Sequence, residues 1–309
     1  MARLPVAEPG TPALTEARPR WYTHELNRPA VYRLGARALG ALPRGARLAI
    51  AAGIARVVPF PVERAVVRAS LARIAPHLTA REREALVRRV FGHFAMCFAD
   101  LISANRSAAE ADRLLAGVEG REHLDGALAE RRGLILLTAH LGNWELAGRH
   151  LARRFARPIH MVVASEADPG VERFLRGGAG PVRFVTRDHP ATSVTLLAAL
   201  RRDEVVAMQG DRALGSRGDL AVPFFGAPAP FPRGPFVLAR AAGAPVVPAF
   251  CVLGADRRYT IVLGAPIRVA PDGEAAALAA WVRVLEEQVG RHPEQWFNFF
   301  DLWSGSPAR

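Results

Sequence analysis

The sequence contains no lysine, and its 41 basic residues are all arginine. Only two cysteines are present, Cys97 and Cys251, and both lie in apolar segments. We expect buried thiols in a reducing compartment and not a disulfide framework. No apolar run reaches the roughly 18 to 20 uncharged residues of a membrane-spanning helix. No secretory signal is evident, and residues 1–20 are polar and proline-rich, which predicts a disordered tail.

Several catalytic motifs are also missing. The chain has no G-x-S-x-G nucleophile elbow, no Walker loop, no G-x-G-x-x-G after a strand and no H-E-x-x-H zinc motif. Its nine histidines show no metal-ligand spacing. We therefore expect neither a metal nor another bound cofactor.

The formal net charge of +12 favours anionic partners, such as a phospholipid surface, an acidic carrier protein, coenzyme A or nucleic acid. The arginines are spread along the chain and form no basic block. There is no paired-cysteine zinc pattern, no glycine-rich RNA-binding signature and no basic region before heptads. We therefore do not expect nucleic acid as a partner.

Apolar periodicity divides the chain into two parts. Residues 21–116 have helical spacing, with breaks at Pro59 and Pro61 and a capping box formed by Thr79 and Glu82. Within this part, residues 34–58 fit helices on a membrane surface and helices that cover the domain equally well.

From Gly133 onward, strand and helix patterns alternate, which predicts an α/β fold with a mainly parallel central sheet flanked by helices. We assign residues 117–303 to this domain and residues 304–309 to a tail. Strands are predicted at 134–138, 159–164, 182–186, 204–208, 219–225, 245–252 and 258–264. Helices are predicted at 143–155, 168–177, 190–202, 233–242 and 273–291.

His140 and Glu145 are the strongest candidates for catalysis. His140 follows the predicted strand at 134–138, at the carboxyl end where α/β sheets open their ligand crevice. Glu145 falls in the first turn of the next helix, from which its carboxylate could turn back toward the imidazole. Such a pair suits a general base. The alternative is an ordinary loop histidine followed by a glutamate that favours a helix N-terminus.

Two further polar pairs follow predicted strands. Asp211 and Arg212 stand at the carboxyl end of the strand at 204–208, where they would bind a substrate or form a local salt bridge. Arg233 and Gly234 lie in a turn leading into a helix, whose free N–H groups suit an anionic head group. The alternative there is an ordinary turn. The aromatic residues of segment 294–303 are either a lipid contact or, as we favour, core packing by a terminal helix.

These blocks, in this order, resemble the lysophospholipid acyltransferase superfamily. The H-x4-E motif, the GDR strand end, FFGAPAPFPRGP and VVP are most similar to lipid A biosynthesis (lauroyl and myristoyl) acyltransferases and their relatives, which include phosphatidylinositol mannoside acyltransferases. The resemblance covers residues 20–303 and implies transfer of a fatty acyl group from acyl carrier protein or acyl-CoA to a hydroxyl or amine of a lipid acceptor.

The resemblance also implies roles for single residues. His140 would be the general base and Glu145 its partner, with no acyl-enzyme intermediate. Gly142 and Asn143 would shape the turn, where backbone N–H groups stabilise the oxyanion. Asp211 and Arg212 match the polar strand end of the family, and Arg233 and Gly234 match the block that contacts a head group.

The resemblance leaves the acceptor open. Segment 160–192 departs from the arginine- and glycine-rich pattern of lipid A enzymes, so another glycolipid, an aminolipid or a polyene-type lipid fits equally well. The expected location is the cytoplasmic face of the bacterial inner membrane, with peripheral or monotopic attachment. Two other activities stay open: a non-catalytic protein that binds lipid or acyl carrier on the same fold, and a thioesterase.

Overall fold

The apolar runs that follow residue 133 fold as strands, and most of the chain before them folds as helices. The computed structural model describes residues 42–104, 108–155, 157–165, 168–176, 180–213, 215 and 218–304. The tail predicted at 1–20 lies outside these residues, as does all of the tail predicted at 304–309 except Ser304.

Proline and a capping box set the limits of the N-terminal helices. Pro61 stands at the first position of a helix, where its missing N–H costs nothing. The N–H of Thr79 donates to Oε2 of Glu82 at 2.8 Å, and the N–H of Glu82 donates to Oγ1 of Thr79 at 3.3 Å, which confirms the predicted capping box. The helices are α1 (Arg44–Val57), α2 (Pro61–Ile74), α3 (Ala80–Ala104) and α4 (Ala108–Arg113).

Helices α1 and α2 both pack against α3. Within the described ranges, none of the single helices is both long enough and apolar enough to cross a bilayer. Taken together, α1 and α2 reach that length and composition, but the two helices are bent by 98° at the break between them.

A seven-stranded sheet lies at the centre of the molecule. The strands of the chain are β1 (Leu115–Glu119), β2 (Leu134–Thr138), β3 (Ile159–Val163), β4 (Val182–Thr186), β5 (Val205–Gln209), β6 (Asp219–Phe224), β7 (Ala227–Pro232), β8 (Val246–Leu253) and β9 (Tyr259–Leu263). The sheet order is β1-β9-β8-β2-β5-β3-β4, and β6 and β7 form a separate antiparallel ribbon. Strands β2, β3, β4, β5 and β8 run parallel, whereas β9 and β1 run the other way. The predicted mainly parallel α/β fold is confirmed.

Helices flank the sheet, and every residue of β2 and β8 is buried. Burial on both faces explains why these strands are continuous apolar runs and do not alternate. The same core includes side chains of α2 and α3, so the N-terminal helices share it with the sheet. The remaining helices are α5 (Arg121–Ala129), α6 (Trp144–Arg154), α7 (Pro169–Arg176), α8 (Thr192–Arg201), α9 (Gly234–Ala242) and α10 (Glu274–Arg291).

The structure differs from the sequence prediction in three elements. Strand β1 was not predicted, and it crosses the boundary placed between residues 116 and 117. Strand β7 was not predicted; it contains three prolines, which a two-stranded ribbon accepts along its unpaired edges. Segment 294–303 is not a terminal helix: a short 3-10 turn at Pro293–Gln295 leads into irregular chain. Its predicted core packing is confirmed, because Trp296, Phe297 and Phe299 are buried.

Candidate active site

His140 lies two residues beyond β2, at the carboxyl edge of the sheet. The neighbouring strand β5 runs parallel to β2 with Thr138 opposite Gln209, so the segments that follow these two strands leave the sheet side by side. This register brings Asp211 against His140, although the two residues are 71 positions apart in the sequence. Nδ1 of His140 lies 2.8 Å from Oδ1 of Asp211, and the backbone N–H of His140 donates to Oδ2 at 3.0 Å.

The electrostatic environment defines the state of this pair. Burial lowers the pKa of His140, and the Arg212 guanidinium lowers it further, against the opposing effect of Asp211. Burial would raise the pKa of Asp211, but the charge and hydrogen bonds of His140 hold it down, at about 2. An ionised carboxylate only accepts hydrogen bonds, so Nδ1 of His140 carries the proton and Nε2 holds a lone pair near neutral pH.

Nε2 of His140 faces a partly open space. The His140 side chain is 18% exposed, whereas the Asp211 side chain is fully buried. The indole of Trp144 meets the imidazole edge to face, with ring centroids 4.9 Å apart. Among the described residues Nε2 has no hydrogen-bond partner, so it is available to a substrate.

The turn after His140 is held by close backbone contacts. Gly142 has a φ of +63°, and a Cβ added there would lie 2.0 Å from the carbonyl oxygen of Cys251. The N–H of Gly142 donates to the carbonyl of Gln295 at 2.9 Å, and the N–H of Asn143 donates to the carbonyl of Cys251 at 2.8 Å. Both N–H groups are thus used to hold the turn, so an oxyanion would need other backbone N–H groups.

Asn143 is the N-cap of α6 and also forms a hydrogen bond with α3. Its Oδ1 accepts a hydrogen bond from the N–H of Leu146 at 3.4 Å, and its Nδ2 donates to the carbonyl of Cys97 at 3.0 Å. Asn143 is 4% exposed, so the structure gives it a positioning role in place of substrate contact. The backbone N–H groups of Trp144 and Glu145, the first two residues of α6, have no acceptor among the described residues.

The structure shows no hydrogen bond or ion pair between Glu145 and His140. Its Oε1 lies 2.5 Å from Nη2 of Arg149, one helical turn further along α6. Arg149 is 2% exposed, and the same nitrogen donates to the carbonyl of Leu175 at 2.8 Å. The expected pair of His140 with Glu145 is thus replaced by His140 with Asp211, because the parallel register of β2 and β5 brings Asp211 to Nδ1.

Arg212 joins the site to the C-terminal segment. Its Nη2 donates to the carbonyl of Phe297 at 2.9 Å, and its guanidinium lies 5.3 Å from the ring centre of Phe300. The N–H of Phe297 in turn donates to the carbonyl of His140 at 2.7 Å. Arg212 therefore lowers the pKa of His140 from a fixed position. Its predicted substrate contact stays a prediction.

Arg233 and Gly234 lie elsewhere. Both are exposed at the start of α9. The pKa of Glu274, at the start of α10, is lowered by its own backbone N–H and by Arg240, with a smaller contribution from Arg233. Within the described residues, no contact joins Arg233 or Gly234 to the His140 pair, so the structure does not bring these predicted binding residues into the site.

Sequence reasoning missed three residues that support the pair. Trp296 donates from Nε1 to Oδ2 of Asp211 at 3.2 Å. The carbonyl of Gln295 holds the turn after His140, and Arg149 forms an ion pair with Glu145. Glu145 and Arg149 stand four positions apart in a predicted helix, a spacing that indicates an ion pair and could have been recognised. No sequence signal connects Trp296 with Asp211, since 85 residues separate them.

No group of three His, Cys, Asp or Glu side chains in the described part of the chain is arranged to hold a metal ion. The absence of a metal cofactor remains a prediction. The chemistry available at this edge is therefore that of a neutral imidazole base oriented by a buried carboxylate, beside free N–H groups at a helix N-terminus.

The sequence is similar to those of known bacterial acyltransferases. The profile of the bacterial lipid A biosynthesis acyltransferase family matches residues 28–304. The chain is 28% identical over 208 residues to a phosphatidylinositol mannoside acyltransferase of Mycobacterium tuberculosis, covering 65% of this chain and 63% of that protein. It thus spans less than two thirds of that relative.

Two relatives from Escherichia coli are matched over more of their length. The lipid A biosynthesis lauroyltransferase is 26% identical over 300 residues, which are 94% of this chain and 91% of that protein. The lipid A biosynthesis palmitoleoyltransferase is 24% identical over 242 residues, covering 77% and 78%. Because the family profile covers most of the sequence, the chain belongs to the bacterial lipid A biosynthesis acyltransferase family.

Proposed function

We propose that this protein is an acyltransferase that moves a fatty acyl group from a thioester, carried by acyl carrier protein or coenzyme A, to a hydroxyl of a lipid acceptor. An acceptor amine would react in the same way. The observation that carries the proposal is the contact between His140 and the buried Asp211, which leaves Nε2 of His140 as an available base. The names of the relatives, which are acyltransferases of lipid A and of phosphatidylinositol mannosides, support a glycolipid acceptor.

The reaction follows from the state of the imidazole. Nε2 of His140 takes the proton of the acceptor hydroxyl while its oxygen attacks the thioester carbonyl carbon. The buried Asp211 carboxylate stabilises the imidazolium that forms. Collapse of the tetrahedral intermediate breaks the carbon–sulfur bond, and the imidazolium returns the proton to the leaving thiolate. The products are an ester and a free thiol, and the acyl group is never attached to the protein.

The oxyanion of the intermediate needs hydrogen-bond donors close to His140. The free N–H groups of Trp144 and Glu145 occupy the N-terminus of the 11-residue helix α6, four and five positions beyond the base. A helix N-terminus combines such donors with positive potential, so it suits a developing negative charge. We assign the oxyanion site to these two groups.

Glu145 then has a role other than orienting the base. Arg149 fixes one of its oxygens, and the side chain remains 20% exposed. Its second oxygen has no hydrogen-bond partner among the described residues. We assign Glu145 to accepting a hydrogen bond from a substrate, either an amide of the carrier arm or a second hydroxyl of the acceptor.

The positive charge of the chain supports an acidic carrier protein and an anionic membrane as partners, and therefore a location at the cytoplasmic face of the inner membrane. Acidic carriers and anionic lipids are both attracted by arginine-rich surfaces. No nucleic acid is required.

The test is transfer of labelled acyl groups from acyl carrier protein or acyl-CoA into total bacterial lipids, with products identified by mass spectrometry. His140→Ala should lower the rate by at least roughly 10²-fold with an unchanged melting temperature, as expected for a lost general base. His123→Ala, which changes a partly exposed histidine on α5, is the matched control and should retain full activity. Wild-type turnover by His140→Ala would refute the mechanism.

Other products would point to the alternatives. Release of free fatty acid without an acylated lipid would indicate a thioesterase. Lipid binding that His140→Ala leaves unchanged, with no turnover on either donor, would indicate a binding protein.

A further inference from the structure

The bend between α1 and α2 carries an unusual concentration of exposed aliphatic side chains. Among the described residues, the large hydrophobic side chains that are exposed are Ile50 (38%), Ile54 (54%), Val57 (78%), Val62 (69%) and Val194 (70%). The first four lie within residues 50–62, which we call the elbow. The rest of the described surface has only Val194, on α8, so the elbow is a cluster and not part of a general pattern.

Helical geometry places three of these side chains in one stripe. Ile50, Ile54 and Val57 follow the spacing i, i+4, i+7, which puts them along one side of α1. Leu48, nine residues or two and a half turns before Val57, lies on the opposite side and is 1% exposed. Helix α1 therefore packs on the protein with one side and presents an aliphatic stripe to the outside.

The sharp bend brings Val57 and Val62 to the tip of the elbow. The axes of α1 and α2 meet at 98°, with Pro59 in the break. Phe60, between the two valines, is turned inward and stacks on Phe91 with ring centroids 5.9 Å apart. The aromatic residue thus anchors the elbow to α3 while both valines stay outside.

The charge of the same segment is strongly positive. Residues 44–74 contain six arginines and one glutamate, Glu63, for a net charge of +5. Arg56 is exposed directly beside Val57. Exposed aliphatic side chains with arginines around them fit the interface of a bilayer with anionic head groups, because acyl chains accept the former and phosphates attract the latter.

A series of packed aromatic rings connects the elbow with the sheet edge that carries the site. Helix α3 crosses this sheet edge. The carbonyl of Cys97 on α3 accepts a hydrogen bond from Asn143, and the Asp100 carboxylate accepts one from Tyr259, the first residue of β9. From the elbow, ring contacts of 5.2 to 5.9 Å lead through Phe60, Phe91, Phe299, Phe94 and Phe297. The last of these residues, Phe297, donates a hydrogen bond from its N–H to the carbonyl of His140.

We propose that the elbow is the surface by which this protein docks on an anionic phospholipid bilayer, with Val57 and Val62 entering the interface and Arg56 contacting head-group phosphates. The proposal rests on the proposed function, since it delivers a lipid acceptor to the sheet edge that carries His140. Its occupant is the membrane. The other possible occupants are residues 1–41 of the same chain and a second copy of the protein.

The experiment is co-sedimentation of the full-length protein with vesicles of phosphatidylglycerol and phosphatidylcholine, compared with vesicles of phosphatidylcholine alone. Val57→Glu/Val62→Glu should weaken binding to the anionic vesicles at least tenfold. Val194→Glu, an equally exposed valine outside the elbow, is the matched control and should change binding less than twofold. Arg56→Gln should weaken binding to anionic vesicles only.

A second variant covers the case in which the double substitution disturbs folding. Val57→Trp keeps the site apolar and should strengthen binding, because indole favours the bilayer interface. Unchanged binding of both elbow variants would overturn the proposal. So would a changed oligomeric state of the double variant without vesicles, since that result would mean that a second copy already covers the elbow.

Acyl transfer separates this proposal from the catalytic one. With acceptor dispersed in detergent micelles, the double variant should turn over like wild type, and with acceptor in vesicles its rate should fall at least tenfold. If wild type transfers nothing in either form but the vesicle binding behaves as expected, the proposed function fails and the docking surface stands.

Discussion

Replacing Asp211 by asparagine separates the partner that the structure gives His140 from the one expected from sequence. Asparagine keeps the size of the side chain but removes the charge that favours the Nδ1–H tautomer and stabilises the imidazolium. Asp211 is fully buried and accepts from His140 at 2.8 and 3.0 Å, so water cannot replace the lost charge. We expect kcat to fall roughly 10²- to 10⁴-fold, the range for lost general-base assistance.

The pH dependence gives a second readout. The base is active when His140 is neutral, and the pKa of His140 lies below its ordinary 6.5, so wild-type kcat/KM should fall with acid at a midpoint below 6.5. Asp211 raises the pKa of His140, against burial and Arg212. Its removal should move this midpoint to still lower pH.

Stability should change in acid as well. The pKa of Asp211 falls from 3.8 to about 2 on folding, which corresponds to about 2 kcal/mol of stability above pH 4. This contribution is lost as pH falls through the folded-state pKa, so the asparagine variant should lose less stability than wild type between pH 4 and about 2. Urea unfolding across this range measures the difference.

Glu145→Gln is the matched control. Glu145 is bound to Arg149 and not to the imidazole, so this variant should leave the acid midpoint of kcat/KM unchanged even where its rate is lower. Steady-state acyl transfer between pH 4.5 and 9 compares the three proteins. A wild-type rate for Asp211→Asn, together with a moved midpoint for Glu145→Gln, would restore the pairing expected from sequence and refute the assignment of Asp211.

Two stability predictions accompany this one. Gly142→Ala should lower the free energy of unfolding by roughly 3 kcal/mol or more, since the new Cβ would lie 2.0 Å from the carbonyl oxygen of Cys251 at a left-handed φ. The control Gly126→Ala, whose Cβ would have nothing within 4 Å, should not lower the free energy of unfolding. Equal urea midpoints for the two variants would contradict this prediction. Arg44→Ala removes the two hydrogen bonds, 2.9 and 2.7 Å long, that Arg44 makes to the buried Asp100, and should cost about 3 kcal/mol by thermal unfolding. A loss below about 1 kcal/mol would mean that water compensates Asp100.

The elements that could be predicted are those whose pattern is local. The strand at 134–138 and the capping box of Thr79 and Glu82 were predicted as observed, because burial and capping depend on neighbours in sequence. Strand β7 could not be predicted, since its prolines are tolerated only in the ribbon that it forms with β6.

In the candidate site, too, the sequence could predict single residues but not which of them pair. Sequence identified His140 and Asp211 as polar residues that follow the carboxyl ends of two predicted strands. It assigned Glu145 to His140 because the two are close in sequence, whereas strand order decides which carboxylate reaches Nδ1. Strand order is a tertiary property, so periodicity could not reveal it.

The site is completed by residues made at widely different times during synthesis. His140 and Asp211 are 71 residues apart, and Trp296, which donates to Asp211, follows after a further 85. A ribosome adding 5 to 20 residues per second needs roughly 8 to 30 seconds to add these residues. Once β9 has been made, the nascent chain has the strands of the central sheet but not yet the segment that fixes the turn of His140. The acyl transfer that we propose should therefore begin only after that segment has left the ribosomal tunnel.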